Sequence, residues 1–227
     1  MENVIRLLST LALKGAVERL AGQYQAATGA KLDADYAPTV GLLKRLREGE
    51  KADVLILTRE GLDELIGEGA VVAASKVDLA RSYVGLAVKA GQPHPDISTE
   101  AALRKTLLAA RSVAYSKIGA SGIYFAELIQ RLGLAAEINA RATVTAGFTA
   151  ERLITGEADL AVQQISELKQ VAGIEVVGPI PHQLQTAAIF TAGRMASSAK
   201  AAQADALLKY LASAEVAPML RQSGLEP

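Results

Sequence analysis

Four times along this chain, a short apolar run leads into a turn of small or polar residues and then into an amphipathic stretch. The four turns span Leu7–Leu11, Tyr36–Gly41, Gly119–Tyr124 and Val162–Glu167. A short apolar run bounded by turn residues predicts a buried strand, and the amphipathic stretch after it predicts a helix. Strands and helices that alternate in this way are typical of a parallel sheet covered by helices. The chain is therefore predicted to be an α/β protein.

The composition of the turns indicates what they can bind. The first residues of a helix carry backbone N–H groups without intrahelical partners and a partial positive charge, so a helix start can hold an anion. Hydroxyl groups and glycines at these turns add short donors and let a ligand approach the backbone. Any single turn is better explained as ordinary helix capping. Four such turns at the carboxyl ends of strands, where α/β proteins usually bind ligands, favour an anion site.

Composition excludes several other functions. The 227 residues include 24 basic and 24 acidic side chains and only nine aromatic ones, with no basic block of the kind that binds nucleic acid. There is no cysteine, and the two histidines, His94 and His182, lie in proline-containing loops, so no metal or cofactor is expected. Gly119–Gly122 lacks the Gly-Lys-Ser/Thr ending of a phosphate loop, which argues against a nucleotide.

Turn residues also predict where individual helices begin and end. Leu11 to Thr28 carries apolar residues at helical spacing, and Gly29 is expected to end that helix. Thr58 and Ser98 each precede an amphipathic stretch and are predicted to cap the helices that follow them.

Two strand-like segments divide the chain. They lie near residues 83–90 and 185–191 and bracket a central α/β block of ordinary domain size. We expect one lobe made of residues 1–82 and 191–227 and a second lobe made of residues 83–190. No flexible linker separates the lobes, so a hinge would run through the two strands.

The start of the chain leaves the compartment open. The apolar stretch from Val4 to Leu13 is interrupted by Arg6 and followed by Lys14, so Val4–Leu8 is predicted to be the first core strand instead of a signal peptide. The protein is expected to be cytoplasmic if Met1 is the native start, and periplasmic if a signal peptide has been removed. We expect a monomer.

Several stretches in order along the chain resemble a known family. These are Leu8–Ala16, Ala52–Leu57, Gly119–Tyr124 and the Ser223–Pro227 ending. Together they resemble the type II periplasmic solute-binding proteins, in particular the molybdate-binding-protein-like group. The resemblance covers essentially the whole chain. It implies two α/β lobes, each a mostly parallel sheet flanked by helices, joined by two crossing strands, with a ligand clasped between them.

The resemblance also implies which residues contact the ligand. In the first lobe these are Ser9, Thr10, Pro38 and Thr39; in the second they are Ser121, Gly122, Tyr124, Ala146, Gly147, Gln163 and Gln164. The sequence departs from the molybdate pattern where Ala12, Pro38 and Gln164 stand in place of expected hydroxyl donors. A small oxyanion or carboxylate is therefore expected, without a commitment to molybdate.

Three functions remain open from the sequence. The first is a solute-binding protein that captures a small anion, with the permease of an ABC transporter as its partner if the chain is exported. The alternative is an isomerase of small unsaturated polycarboxylates, because one branch of the family is similar to aconitate isomerase. A third is an intracellular anion sensor.

No catalytic residue is assigned from the sequence. For an isomerase, a tyrosine or lysine could transfer the proton if its pKa were shifted towards neutrality, and the residues near the turns are Tyr36, Tyr115, Tyr124, Lys14 and Lys117. His182 is a further candidate by its chemistry alone.

Overall fold

The computed structural model describes residues 3–227, so Met1, on which the expectation about the start of the chain depends, lies outside the described part. The chain divides into two compact units. One takes in the chain up to Ser82 together with Ala188–Pro227, and the other is Tyr83–Ala187. The hinge predicted near residues 83–90 and 185–191 stays a prediction.

The elements follow the predicted alternation. Up to Ser82 the chain forms β1 (Val4–Ser9), a short 3₁₀ turn (Leu11–Leu13), α1 (Lys14–Thr28), β2 (Lys31–Tyr36), α2 (Thr39–Arg47), β3 (Val54–Thr58), α3 (Arg59–Gly67), a second 3₁₀ turn (Ala73–Ser75) and β4 (Val77–Ser82). The second unit holds β5 (Val84–Lys89), α4 (Glu100–Ala109), β6 (Val113–Tyr115), α5 (Ala120–Arg131), α6 (Ala135–Asn139), β7 (Ala142–Val144), α7 (Glu151–Ile154), β8 (Leu160–Gln164), α8 (Ile165–Leu168), β9 (Ile174–Pro179) and a 3₁₀ turn (His182–Leu184). The chain then returns to the first unit as β10 (Ala188–Arg194), α9 (Ala201–Leu211) and α10 (Ala217–Gln222).

The first unit contains a five-stranded sheet with the order β2-β1-β3-β10-β4. Strands β2, β1 and β3 are parallel, and Ser9 lies level with Tyr36 on one side and Ile56 on the other. The carboxyl ends of these three strands therefore meet at one edge, where α1, α2 and α3 approach. Buried aliphatic side chains of the strands pack against α1, α9 and α10 to form the main core of this unit.

The second unit repeats this plan with the sheet order β7-β6-β8-β5-β9. Strands β7, β6 and β8 are parallel, and Ala114 lies level with Thr143 and Ala161. The loops after these strands consequently leave from one edge of the sheet. Phe125, Leu128 and Ile129 of α5 are fully buried against this sheet and fix that helix next to the edge.

The predicted α/β class with two sheets flanked by helices is confirmed, and the sheets are mixed. In each sheet four strands run in one direction and one runs against them, since β10 is antiparallel to its neighbours β3 and β4, and β5 is antiparallel to its neighbours β8 and β9. Each sheet is therefore mostly parallel, as the family resemblance implied.

Several local expectations hold and others are corrected. Gly29 ends α1 with a φ of 72°, a left-handed conformation that glycine adopts without strain. Thr58 caps α3 as predicted, accepting a hydrogen bond from the Gly61 N–H at 3.4 Å. The cap of α4 is Thr99 and not Ser98, because the Thr99 hydroxyl accepts from the Ala102 N–H at 3.1 Å. The strand β4 escaped sequence analysis because Asp78 and Arg81 interrupt its apolar pattern.

Within residues 3–227, no helix combines the length and the apolar character that crossing a membrane requires. The same residues contain no group of three or more acidic or histidine side chains arranged as a metal site would need.

Candidate functional site

The first turn lies directly after β1 and is fixed from the neighbouring strand. The Thr10 N–H donates to the Ile56 carbonyl oxygen at 2.9 Å, and the Ser9 hydroxyl donates to the Thr10 carbonyl oxygen at 3.1 Å. Thr10 is only 4% exposed, and its Oγ1 has no hydrogen-bond partner anywhere in the described chain. The Thr10 hydroxyl is thus buried at this edge of the sheet and makes no hydrogen bond within the described chain.

The second turn uses its hydroxyl to hold the end of β3. Pro38 precedes α2, and the Oγ1 atom of Thr39 accepts a hydrogen bond from the Thr58 N–H at 3.1 Å. A Cβ atom on Gly61 would lie 2.4 Å from the Thr39 methyl group, so α3 can approach this closely only because residue 61 is glycine. The starts of α2 and α3 are therefore locked together. Sequence analysis assigned Thr58 only as a cap, although it ends the third parallel strand at the same edge.

Lys14 is the cation beside these turns in the first unit. Its Nζ atom lies 5.5 Å from the centroid of the Tyr36 ring and 2.5 Å from Glu18 Oε1. Burial, together with the negative charges of Glu18 and Asp35, raises the pKa of the Tyr36 phenol. This phenol therefore stays protonated near neutral pH and can donate a hydrogen bond.

The third turn depends on close backbone packing. The Ser116 hydroxyl, at the end of β6, accepts hydrogen bonds from the N–H groups of Ile118 at 3.3 Å and Gly119 at 3.1 Å. A Cβ atom on Gly122 would lie 1.5 Å from the Ser116 carbonyl oxygen, so only glycine fits there. Ser121 is buried in the first turn of α5 next to this contact. Gly122 thus allows α5 to begin directly against the strand end.

A fully used glutamine connects the fourth turn to a neighbouring loop. The Gln163 side-chain oxygen accepts from the Thr149 N–H at 2.8 Å and from the Thr149 hydroxyl at 3.0 Å. Its amide nitrogen donates to the Gly147 carbonyl oxygen at 3.2 Å. These bonds orient the amide and hold the exposed Ala146–Gly147 turn over the end of β8. The Gln163 side chain therefore fixes the loop that contains Gly147 and Thr149.

Gln164 and Ser166 contrast with Gln163. Gln164 is the residue before α8 and is 3% exposed, and its Oε1 atom lacks a partner within residues 3–227. The fully buried Ser166 hydroxyl, two residues further on, likewise has none among these residues. Buried polar atoms are nearly always hydrogen-bonded, so the two unpartnered atoms here call for a specific explanation.

Glu167 is an ionisable side chain that lies among these polar groups of the second unit. It is 9% exposed, and burial raises the pKa of its carboxyl group to about 7. The backbone of Gln164 and the side chain of Gln163 interact weakly with the ionised form and lower this pKa less than burial raises it. From the sequence, Glu167 is only the last residue of the fourth turn. Its burial cannot be predicted from the neighbouring residues.

The proton-transfer candidates named from the sequence have other environments. Burial raises the pKa of Tyr124 to about 12, and its hydroxyl donates to the Leu184 carbonyl oxygen at 3.1 Å. Burial also raises the pKa of Tyr115, whose hydroxyl donates to Asn139 Oδ1 at 2.5 Å. The His182 ring packs edge-on against Tyr83 with 4.8 Å between centroids, and Lys117 is exposed. The tyrosine pKa values are thus displaced away from neutrality.

The predicted ligand residues fall into two sets. The first unit brings Ser9, Thr10, Pro38 and Thr39 to the carboxyl edge of its parallel strands, and the second does so for Ser121, Gly122, Ala146, Gly147, Gln163 and Gln164. Tyr124, the remaining predicted ligand residue, lies in α5 and directs its hydroxyl to the Leu184 carbonyl oxygen. Contact of any of these residues with a ligand stays a prediction.

Known proteins that are similar to this chain show the family to which it belongs. Residues 5–226 match the model of a family described as bacterial extracellular solute-binding protein, and the chain belongs to that family. A curated relative, the aconitate isomerase of a Pseudomonas species, is 38% identical over 230 residues, which cover 98% of this chain and 87% of the relative.

Solved structures share the fold at low sequence identity. The periplasmic molybdate-binding protein of Azotobacter vinelandii is similar with a TM-score of 0.83 and 18% identity, over 98% of this chain and 99% of that one. The sulfate-binding protein SubI from Mycobacterium tuberculosis H37Rv is similar with a TM-score of 0.79 and 15% identity, over 99% and 87% of the two chains. At such identities the likeness shows the type II periplasmic-binding-protein fold.

Proposed function

We propose that this protein binds a small carboxylate or oxyanion through hydroxyl, amide and backbone N–H groups at the two strand edges. The observation that carries the proposal is the presence of buried, unpartnered oxygen atoms at predicted ligand residues in both units, Thr10 in the first and Gln164 in the second. The family resemblance implies that both sets serve one ligand, with closure by the hinge through residues 83–90 and 185–191. An exported chain would deliver this ligand to the permease of an ABC transporter.

The unpartnered atoms of Thr10 and Gln164 have a free-energy cost that a ligand can remove. Leaving a buried donor or acceptor unpaired costs about 1–3 kcal/mol, and a hydrogen bond to a charged group contributes about 1.5–3 kcal/mol. A hydroxyl such as that of Thr10 can donate to an anionic oxygen. Rotation about the terminal bond of Gln164 exchanges its oxygen and nitrogen, so the same side chain can accept from a ligand or donate to it. An anion would accept a hydrogen bond from the Thr10 hydroxyl directly, and from Gln164 once its amide nitrogen faces the ligand.

Local charge favours a carboxylate-bearing ligand over a simple oxyanion. Lys14 stands beside the first turn and is 30% exposed, so it can add a charge-assisted contact to a ligand with several negative groups. The three departures from the molybdate pattern, at Ala12, Pro38 and Gln164, argue against molybdate itself. We therefore propose a small polycarboxylate as the first ligand to test.

The test is a thermal-shift screen followed by calorimetry with molybdate, tungstate, sulfate, citrate, cis-aconitate and trans-aconitate. A ligand should raise the melting temperature in proportion to the logarithm of its concentration above Kd. The Thr10→Val variant keeps the shape of the side chain and removes the hydroxyl, so affinity should fall about tenfold or more. Thr155→Val, at an exposed threonine of α7's end, is the matched control and should bind normally. No stabilisation by any of the six anions would overturn the proposal.

Isomerisation of an unsaturated polycarboxylate is a second candidate function. The observation that favours it is the aconitate isomerase relative at 38% identity over nearly the whole chain. Moving an allylic double bond requires one group to take a proton from one carbon and return a proton at the third carbon of the system. The Glu167 carboxyl group, with a pKa of about 7, suits such a step better than the Tyr124 phenol, whose pKa is about 12.

The isomerase candidate is tested with cis- and trans-aconitate as separate substrates. Proton NMR spectroscopy in D₂O would show the conversion of one isomer to the other and the incorporation of solvent deuterium. Binding of both isomers without any interconversion would leave the binding proposal standing and reject the enzymatic one.

A further inference from the structure

We propose that the carboxyl group of Glu167 takes up a proton when the anion binds, so that anion capture by this protein is coupled to pH. The inference rests on the proposed anion site. It adds a proton-binding residue, Glu167, that sets the charge beside the predicted ligand turns of the second unit. No covalent step is involved, because one solvent proton is taken up with the ligand and released with it.

The carboxyl group of Glu167 lies at the edge of the second unit's sheet where the predicted ligand turns are found. Glu167 is the third residue of α8, and helical side chains lean towards the start of their helix. Its carboxyl group therefore lies close to the Gln164 backbone and the Gln163 side chain, which interact with it. Gln163 in turn holds Gly147 and Thr149. The carboxyl group is thus adjacent to two of the predicted ligand turns.

Strands β5, β8 and β9 make the main contacts of α8, and no cation on these three strands neutralises the carboxyl group. Strand β8 has no charged residue, and Lys89 of β5 pairs with Ile174 at the opposite end of the sheet from Gln164. Glu175 of β9 lies near that far end and pairs with His94 at 2.8 Å. The groups that shift the pKa of Glu167 are its own burial, the Gln164 backbone and the Gln163 side chain, and Lys169, the residue after α8, is not among them.

The sign of the coupling follows from this isolation. Burial holds the pKa of Glu167 at about 7 in the free protein, so near neutral pH the group is divided between its neutral and ionised forms. A bound anion disfavours a second negative charge beside it and raises this pKa further. Affinity is therefore highest and nearly constant below pH 7, and it falls as the pH rises through the free-protein pKa. The limiting slope for one proton is about tenfold per pH unit.

The experiment measures the affinity of wild-type protein and of Glu167→Gln for trans-aconitate between pH 6 and pH 9. Glu167→Gln cannot ionise, so its affinity should lack the extra pH dependence and exceed that of the wild type about tenfold or more at pH 8.5. The difference between the two curves removes the ionisation of the ligand itself, which is common to both. Glu127→Gln, at an exposed glutamate of α5, is the matched control and should follow the wild-type curve.

A second measurement does not depend on any variant. Calorimetric titration of the wild type at pH 7.5 in Tris and in imidazole should give binding enthalpies that differ by the heats of buffer ionisation. Because the free group is already partly protonated at pH 7.5, the wild type should take up at most about three quarters of a proton more per bound ligand than the glutamine variant. Identical pH curves and identical proton counts for the two proteins would overturn the inference while leaving the anion site intact. Failure of the wild type to bind any anion of the earlier panel would instead overturn the proposed function.

Discussion

The close packing at the predicted ligand turns meets a side chain in the first unit, the Thr39 methyl group beside Gly61, whereas in the second unit it meets backbone, the Ser116 carbonyl oxygen beside Gly122. Thr39 bonds to the Thr58 N–H in the first unit, while Gln163 bonds to Thr149 and Gly147 in the second. The ionisable groups differ as well. Lys14 stands at the first unit's turns and the nearly buried Glu167 at those of the second. The charged groups beside the predicted turns are thus a lysine paired with Glu18 in the first unit and a nearly buried carboxyl group in the second.

The largest expected effect comes from the backbone contact of the second unit. Gly122→Ala would place a methyl group 1.5 Å from the Ser116 carbonyl oxygen, and neither backbone segment can yield without moving α5. We expect a loss of more than about 3 kcal/mol in the free energy of unfolding, measured by urea denaturation.

The first unit supplies the comparison for this substitution. Gly61→Ala would place its methyl group 2.4 Å from the Thr39 methyl group, which belongs to a side chain. A side chain can move where a backbone carbonyl cannot, so Gly61→Ala should cost less than Gly122→Ala. Gly147→Ala, where the added atom meets nothing within 4 Å, is the neutral control. Equal losses for the variants at 61 and 122 would contradict the distinction drawn between the two units.

The next effect in size concerns the pH dependence of stability. The pKa of Glu167 is raised from 4.5 to about 7, so between these pH values the folded protein holds a proton that the unfolded chain has lost. Stability is consequently lost as the pH rises through this range, and above about pH 7 the full cost applies. At about 1.4 kcal/mol per pH unit, the cost is about 3 kcal/mol.

Glu167→Gln removes this cost and should therefore stabilise the protein at pH 8 by up to about 3 kcal/mol, with little effect at pH 4.5. Denaturant titrations at the two pH values measure the difference. Glu127→Gln should change neither value, because its carboxyl group is exposed. A stabilisation of the same size at both pH values would show that the ionisation of Glu167 is not its cause.

Much of the fold followed from local patterns in the sequence. Thr58, the cap of α3, and Gly29, the end of α1, carry their signals in neighbouring residues, so these helix ends were predicted correctly. Strand β4 could not be found in this way, because it is stabilised by pairing with β10 more than a hundred residues later. Its Asp78 accepts a hydrogen bond from the Thr191 hydroxyl at 2.6 Å, a contact that only the folded chain brings about.

The candidate site shows the same limit. Hydroxyl and glycine turns after strands predicted which segments come to the two edges. They could not separate Gln163, whose amide is used inside the protein, from Gln164, whose oxygen is not. The two residues are identical and adjacent in a strand, so successive side chains point to opposite faces of the sheet. Which face meets the loop at Thr149 is decided by tertiary structure.

That adjacent pair of glutamines provides the last and smallest prediction. Gln163→Leu leaves the Thr149 N–H and the Gly147 carbonyl oxygen without their partner, so the protein should lose about 2 kcal/mol of stability. Gln164→Leu removes an atom that has no partner among residues 3–227, so stability should be unchanged or slightly increased while anion affinity falls. Thermal denaturation and calorimetry on the two variants separate these effects. A Gln164→Leu protein that binds the anion as tightly as the wild type would show that the unpartnered oxygen of the second unit has no part in the ligand site.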